Sequence, residues 1–406
     1  MNARCKKPLF CMAVHQDYFI DARVMQYAET LAQAGYGVDV ICARASSGGQ
    51  GHAPENIRVF SIPFTHRQGS FSALLVEYIL AMPMYAAYLL WLFLQNRYTV
   101  IHVHNMPDFL IFCALIPKLL GAKLILDIHD PMPEIFTSKY KKTQKNILLH
   151  LVCLQEKAST ALADAVITAN PNFKRALQER GVEAEKITVV LNQPDPKVFQ
   201  RGRCQREKRE QGEKMFRLIY PGTIAPRYGL DIAVRALPLL IEKIPHICLV
   251  LIGSVTDYAR ELTQLAVMLG VTPHVVIKPA IPLEQIPAEL CSADVGIYPA
   301  LPDEHMSIAI PGKIVEYVVM GLPVVASRLK ILEQIFPDEA IIFFEPGNVE
   351  QFARCVLGLY QNPQYRDEIV RHADESYTEK HSWENEKENY FEVLNQFNIS
   401  FVEENR

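Results

Sequence analysis

The stretch PGKIVEYVVMGLPVVAS, residues 311–327, sets one carboxylate, Glu316, on a short apolar helix that runs into an apolar strand. Pro311 suits a helix start, Gly321 a stop, and Pro323 bars further helix. PVVAS then reads as a buried strand of a parallel sheet. An acid on such a helix needs a partner, and the hydroxyls of a bound ligand are one candidate. Backbone groups or Lys313 are the other, because perturbed carboxylates serve structure as well as function.

A second stretch, PGTIAPRYG (221–229), follows another apolar run. Gly222 lets a phosphate approach the backbone, Thr223 offers a hydroxyl, and the helix expected after Pro226 offers its positive end. Arg227 can add a bidentate contact to a diphosphate. The plainer reading is a strand-to-helix turn with a surface arginine. Neither a P-loop nor a GxGxxG is present.

Polar groups also gather at the ends of early strands: His15, Asp17, Asp21 and Arg23, then His102 and His104, then Asp127, His129, Asp130 and Glu134. The histidines invite a metal reading. HExxH, cysteine–histidine spacing and a DxD pair are all missing, so a histidine that orients substrate hydroxyls is preferred and no metal is expected. His102 and His104 equally suit core positions. No GxSxG and no clear serine or cysteine triad is found.

The elements that must position these groups alternate along the chain. Strands are expected at 8–14, 38–43, 57–62, 99–104, 123–130, 165–169 and 187–192, and again at 217–222, 248–254, 275–280, 295–300, 323–327 and 340–345. Amphipathic helices such as 22–35 and 230–244 fill the gaps, which implies two doubly wound parallel sheets. The polar run 201–217 reads as a solvated connector, and 382–401 as a helix with an aromatic packing stripe.

Size and composition set bounds. The 406 residues allow two domains, and a net charge of −4 argues against a nucleic-acid partner. Nine cysteines without a CxxC pair, and an N-terminal apolar run too short for a signal peptide, suggest a cytoplasmic protein with reduced core cysteines such as Cys5, Cys11, Cys42, Cys113 and Cys153. The run from Tyr78 to Leu94 carries no charge. Strands expected on both sides argue against a spanning helix. Residues 71–94 therefore read either as a half-buried helix whose outer face can touch a membrane, or as a plain buried helix. The basic stretch SKYKKTQK (138–145) reads as an aid to lipid contact or a solvated loop.

In their order, DARVMQYAETLAQAGYGVDVI, DIHD, PGTIAPRYGLD and EYVVMGLPVVAS resemble glycosyltransferase family 4, the glycosyl transferases group 1, over nearly the whole chain. The resemblance implies the α/β GT-B fold, two Rossmann-like doubly wound parallel-sheet domains facing a central cleft. Residues 1–200 would form the acceptor-side domain, with the helix at about 382–406 packing back on it, and 201–381 the nucleotide-sugar domain. Glu316 matches the second glutamate of the E-x7-E motif that holds the nucleotide ribose. His129 matches a histidine near the donor sugar, and Gly222 the glycine of the diphosphate loop. The chain departs from the pattern at Ile308, where the first glutamate would fall, and at Thr223 and Tyr228, where an arginine and a lysine would fall. Pro311 also removes a backbone donor, and the resemblance to branches of the family with a P-x-K-x-x-E arrangement would give Lys313 a donor-site role.

The implied activity is retaining transfer of a hexosyl unit from a UDP- or GDP-sugar to an acceptor hydroxyl, without a cofactor or metal. Arg227, Glu316 and His129 would be catalytic. Gly222, Thr223, Ile308, Pro311 and Lys313 would line the donor site, and His15, Asp17, Arg23, His104 and Asp130 the acceptor side. The acceptor would be a saccharide or a lipid-linked saccharide, as in surface polysaccharide or glycolipid synthesis at the inner face of a membrane. The alternatives are a UDP-N-acetylhexosamine 2-epimerase of the same architecture and a non-catalytic sugar-nucleotide binder.

Overall fold

The computed structural model describes residues 9–44, 53–64, 71–139, 145–203, 215–303 and 306–399. Cys5, residues 140–144 of the basic stretch, most of the 201–217 connector (204–214) and the end of the 382–401 helix lie outside them. The chain divides into two units, one of residues 1–192 with 384–406 and one of residues 193–383.

In the first unit, runs rich in Val, Ile and Leu become seven parallel strands: β1 (Leu9–Val14), β2 (Gly37–Ala43), β3 (Ile57–Ile62), β4 (Val100–His104), β5 (Lys123–Ile128), β6 (Ala165–Thr168) and β7 (Ile187–Val189). Their spatial order is β3-β2-β1-β4-β5-β6-β7. Strands covered on both faces read as unbroken apolar runs, and β1, β4 and β6 are buried almost end to end. The connecting helices are α1 (Ala22–Gln33), α2 (Phe71–Asn96), α3 (Leu115–Leu119), α4 (Met132–Lys139), α5 (Lys145–Leu162) and α6 (Pro171–Glu179).

Helix α2 joins β3 to β4 of one sheet, so it does not divide that sheet between two compartments. Its inward stripe of Ala81, Tyr85, Leu89, Leu92 and Phe93 is buried, and Tyr85 Oη donates to the Val14 carbonyl at 2.7 Å. Burying each of the larger side chains contributes roughly 1.5–3 kcal/mol.

The second unit carries β8 (Phe216–Pro221), β9 (Ile247–Ile252), β10 (Val275–Lys278), β11 (Val295–Tyr298), β12 (Val324–Ser327) and β13 (Ile342–Phe344), ordered β10-β9-β8-β11-β12-β13 and all parallel. Its helices are α7 (Leu230–Ile241), α8 (Asp257–Met268), α9 (Ile286–Cys291), α10 (Gly312–Val319), α11 (Lys330–Ile335), α12 (Val349–Gln361) and α13 (Pro363–Ala373). The last helix, α14 (Trp383–Asn395), falls from Glu384 onward in the first unit. There Glu386 accepts the Leu191 amide at 2.9 Å. All thirteen expected strands form, most within two residues of the expected ends.

Candidate active site

In the second unit the strand order reverses between β8 and β11, and ligands of open parallel sheets bind at such a switch point. The loop after β8 and the loop after β11 touch closely. A Cβ on Gly229 would lie 2.2 Å from the Pro299 carbonyl, and Leu301 donates its amide to the Arg227 carbonyl at 2.9 Å. Helix α10 starts from the second of these loops. Pro311 is its N-cap residue and supplies no side-chain cap. The amides of Gly312 and Lys313 have no protein acceptor among the described residues, as a helix start dictates.

Two charged side chains leave that first turn. The Lys313 ammonium lies 5.5 Å from the Tyr220 ring and 5.3 Å from the Tyr228 ring, within cation–π range. It fills the space that glycine leaves at position 222, and it has no carboxylate in ion-pair contact among the described residues. Three residues on, the Glu316 carboxylate accepts no hydrogen bond among the described residues. Burial raises its pKa to about 7, with the Lys313 charge pulling the other way. Burial also lowers Lys313, and Glu316 opposes that. Both side chains are half-buried.

The other donor-side positions are placed as follows. Gly222 has φ +143, a conformation that costs an L side chain energy. Thr223 is exposed, and its carbonyl accepts from Tyr220 Oη at 3.1 Å. Ile308 is half-buried in the loop before α10. Arg227 differs from expectation because its Nη2 already pairs with Asp303 at 2.8 Å, while its buried Nε has no partner among the described residues. The helix start expected after Pro226 is also displaced. Pro226–Tyr228 is a 3-10 turn, α7 begins at Leu230, and Asp231 occupies its first turn.

In the first unit the reversal falls between β1 and β4, and the expected polar groups meet around one buried carboxylate. Asp127 receives Arg23 Nε at 2.7 Å and Nη2 at 3.0 Å, lies 3.1 Å from His104 Nδ1, and is 3.7 Å from His129 Nδ1. Burial alone would raise the Asp127 pKa, but the Arg23 charge and the two histidines hold it well below the usual range. Burial pushes His102 and His104 down, so both are neutral. For His129, burial is outweighed by the nearby negative charge of Asp127, and its pKa is raised. Asn105 fixes the loop that carries His129 by accepting the His129 amide and donating to the Asp130 carbonyl.

Three of the expected acceptor-side residues, His15, Arg23 and His104, therefore lie in the interior. Arg23 is 7% exposed and committed to Asp127, Val190 and Asn192, because an isolated buried charge must be neutralised by a partner, and His104 is fully buried. His15 is buried and pairs with Glu77 of α2 at 2.8 Å. Asp17 and Asp21 accept backbone amides at the starts of a 3-10 turn and of α1. His129 and Asp130 remain half-buried. His102, His104 and Asp127 could also hold an ion by distance. Both Asp127 oxygens, however, already receive the Arg23 guanidinium, a fixed positive charge where an ion would sit.

The sequence reading missed Tyr220 as part of the lysine seat, Asp303 as the partner of Arg227, and Asn105. Tyr220 sits inside an apolar strand run, where an aromatic signals only core packing. Asn105 did stand in the loop after β4, in NMPD.

Residues 20–193 match the glycosyl transferase 4-like domain, and residues 216–362 match glycosyl transferases group 1. The chain belongs to the family 4-type glycosyltransferases. Its two parallel-sheet Rossmann-like domains are those of the GT-B fold. An uncharacterized glycosyltransferase of Methanocaldococcus jannaschii is 25% identical over 300 residues, 71% of this chain and 73% of that protein. A GDP-mannose-dependent alpha-(1-6)-phosphatidylinositol monomannoside mannosyltransferase of Mycolicibacterium smegmatis is 33% identical over 151 residues, 36% of this chain and 37% of its own length. Sucrose-phosphate synthase from Thermosynechococcus elongatus superposes with a TM-score of 0.77 at 18% identity, covering 97% of this chain and 100% of that one.

Proposed function

We propose that this glycosyltransferase moves a hexosyl unit from a UDP- or GDP-sugar to an acceptor hydroxyl, with the retention of configuration that the family resemblance implies. The observation that carries the reading is the pair Lys313 and Glu316, two charges on the first turns of α10 with no ion-pair or hydrogen-bond partner among the described residues. A nucleotide diphosphate sugar offers each what it lacks. The ribose hydroxyls donate to Glu316, and the diphosphate meets Lys313, the free amides of α10 and the Gly222 loop. The catalytic need is to stabilise negative charge growing on the leaving β-phosphate, and preorganised donors of this kind supply it. Arg227 contributes only if the diphosphate draws it from Asp303.

No metal cofactor is needed on this reading, since Lys313 supplies the cation. His129, whose pKa the Asp127 charge raises, would orient sugar hydroxyls, with Asp130 beside it. The acceptor we favour is a lipid-linked saccharide, at the cytoplasmic face of a membrane in glycolipid or surface polysaccharide synthesis. The phosphatidylinositol mannoside named for the mycobacterial relative supports that choice. The test is incubation with UDP- and GDP-hexoses and lipid-linked or soluble saccharide acceptors, with the anomeric proton coupling of the product read by NMR. A product of retained configuration is expected; inversion, or 2-epimerised sugar without transfer, would overturn the reading.

A further inference from the structure

Helix α2 is apolar on both sides. The stripe turned away from the sheet includes Ile79, Leu80, Trp91 and Leu94, all more than half exposed, and no charged residue interrupts the outward face from Val76 to Leu94. A helix at an ordinary protein–water boundary carries charge on that side. The 3-10 segment Asp108–Ala114 packs against both α2 and α5 and leads into α3, so these elements are neighbours. These neighbours also expose large apolar side chains, Leu119 on α3 and Ile147 on α5 at 78% and 77%.

Charge on these elements is arranged to one sign. Their acids point inward: Glu77 pairs with His15, Asp108 is fully buried, and Glu156 pairs with Arg180. The solvent side keeps Lys157 on α5, and the partly exposed Lys118 on α3 and Lys123 just beyond it, both of which pair with Asp164. A chain with net charge −4 thus shows, on the described residues of these elements, an apolar face with cations and no exposed acid.

We infer that this face seats the protein on an anionic lipid surface, α2 lying in the plane of the interface with Trp91 among the lipid headgroups. Apolar burial and attraction to anionic lipid act together in such seating, and tryptophan favours that depth. The same helix holds His15 at the end of β1 through Glu77, so the seated element also positions the first unit's polar groups. The inference deepens the lipid-linked acceptor reading, but its test uses neither donor nor acceptor.

The full chain is mixed with vesicles of phosphatidylcholine alone or with added phosphatidylglycerol, sedimented, and followed by tryptophan emission. Trp91 is the exposed one of two tryptophans and Trp383 is buried, so Trp91 carries the signal. Expected are co-sedimentation with the anionic vesicles, a blue shift, and quenching by brominated acyl chains. The double variant Ile79→Glu, Leu94→Glu should lower partitioning roughly tenfold or more while nucleotide-induced thermal stabilisation stays as in the wild type. Failure of the wild type to bind any vesicle, or binding without change at Trp91, would overturn the inference. So would a dimer in light scattering that the double variant dissolves, which would assign the face to a second copy. The brominated-lipid arm needs no variant.

Discussion

Lys313 occupies the space that Gly222 leaves empty: a Cβ at 222 would lie 1.9 Å from Lys313 Cε and 2.6 Å from its Nζ. The lysine that the family pattern would place at 228 is a tyrosine here, and the Lys313 ammonium lies over that ring. A cation therefore reaches the loop after β8 from the start of α10.

Gly222→Ala should cost stability and donor affinity together. The φ of +143 strains any L side chain, and the added methyl displaces Lys313. A loss of roughly 1–3 kcal/mol in chemical denaturation is expected, with nucleotide binding weakened beyond detection by calorimetry.

Lys313→Met keeps the length of the side chain and removes its charge. Donor affinity should fall roughly 10- to 100-fold, the worth of a charge-assisted contact, with little change in Tm. Tyr228→Leu keeps the charge and removes half its seat, so a smaller loss in the same titration is expected.

Donor binding should strengthen as pH rises through about 7, because Glu316 accepts ribose hydroxyls best when ionised. The sign for stability is opposite. The folded pKa lies above the ordinary 4.5, so the Glu316 contribution to stability is largest at low pH and declines as pH rises toward about 7. Titration of a UDP- or GDP-sugar across that range checks the first expectation, and Glu316→Gln should flatten the profile.

Arg23→Met should unfold the first unit far more readily than a surface change would, by about 3–5 kcal/mol, because Asp127 is left as an uncompensated buried charge. Asp127→Asn should do the same, and the double variant should cost much less than the sum. Urea denaturation of the four proteins measures the coupling.

The fold was legible because parallel strands covered on both faces must be unbroken apolar runs, and Pro and Gly punctuate them. Helix α10 was legible for the same reason, with Pro311 before it and Gly321 after it. Long-range pairing was not. Arg23 and Asp127 are 104 positions apart, and each looked like a polar group at a strand end, where either a ligand or an internal ion pair would satisfy it. Arg227 looked like a free cation because Asp303, 76 positions away, gives no local signal. The exposure of α2 was half legible: its apolar length is plain in sequence, but which stripe faces outward depends on the packing of Tyr85 and Leu89.

The central claim is that Lys313 and Glu316 hold the donor nucleotide. Thermal unfolding with UDP, GDP and their hexoses, for the wild type and for Glu316→Ala, tests it most directly, since a ligand that binds the folded state raises Tm. One nucleotide should stabilise the wild type and leave Glu316→Ala unmoved. An equal shift in both proteins, or none in the wild type with any nucleotide, would contradict it.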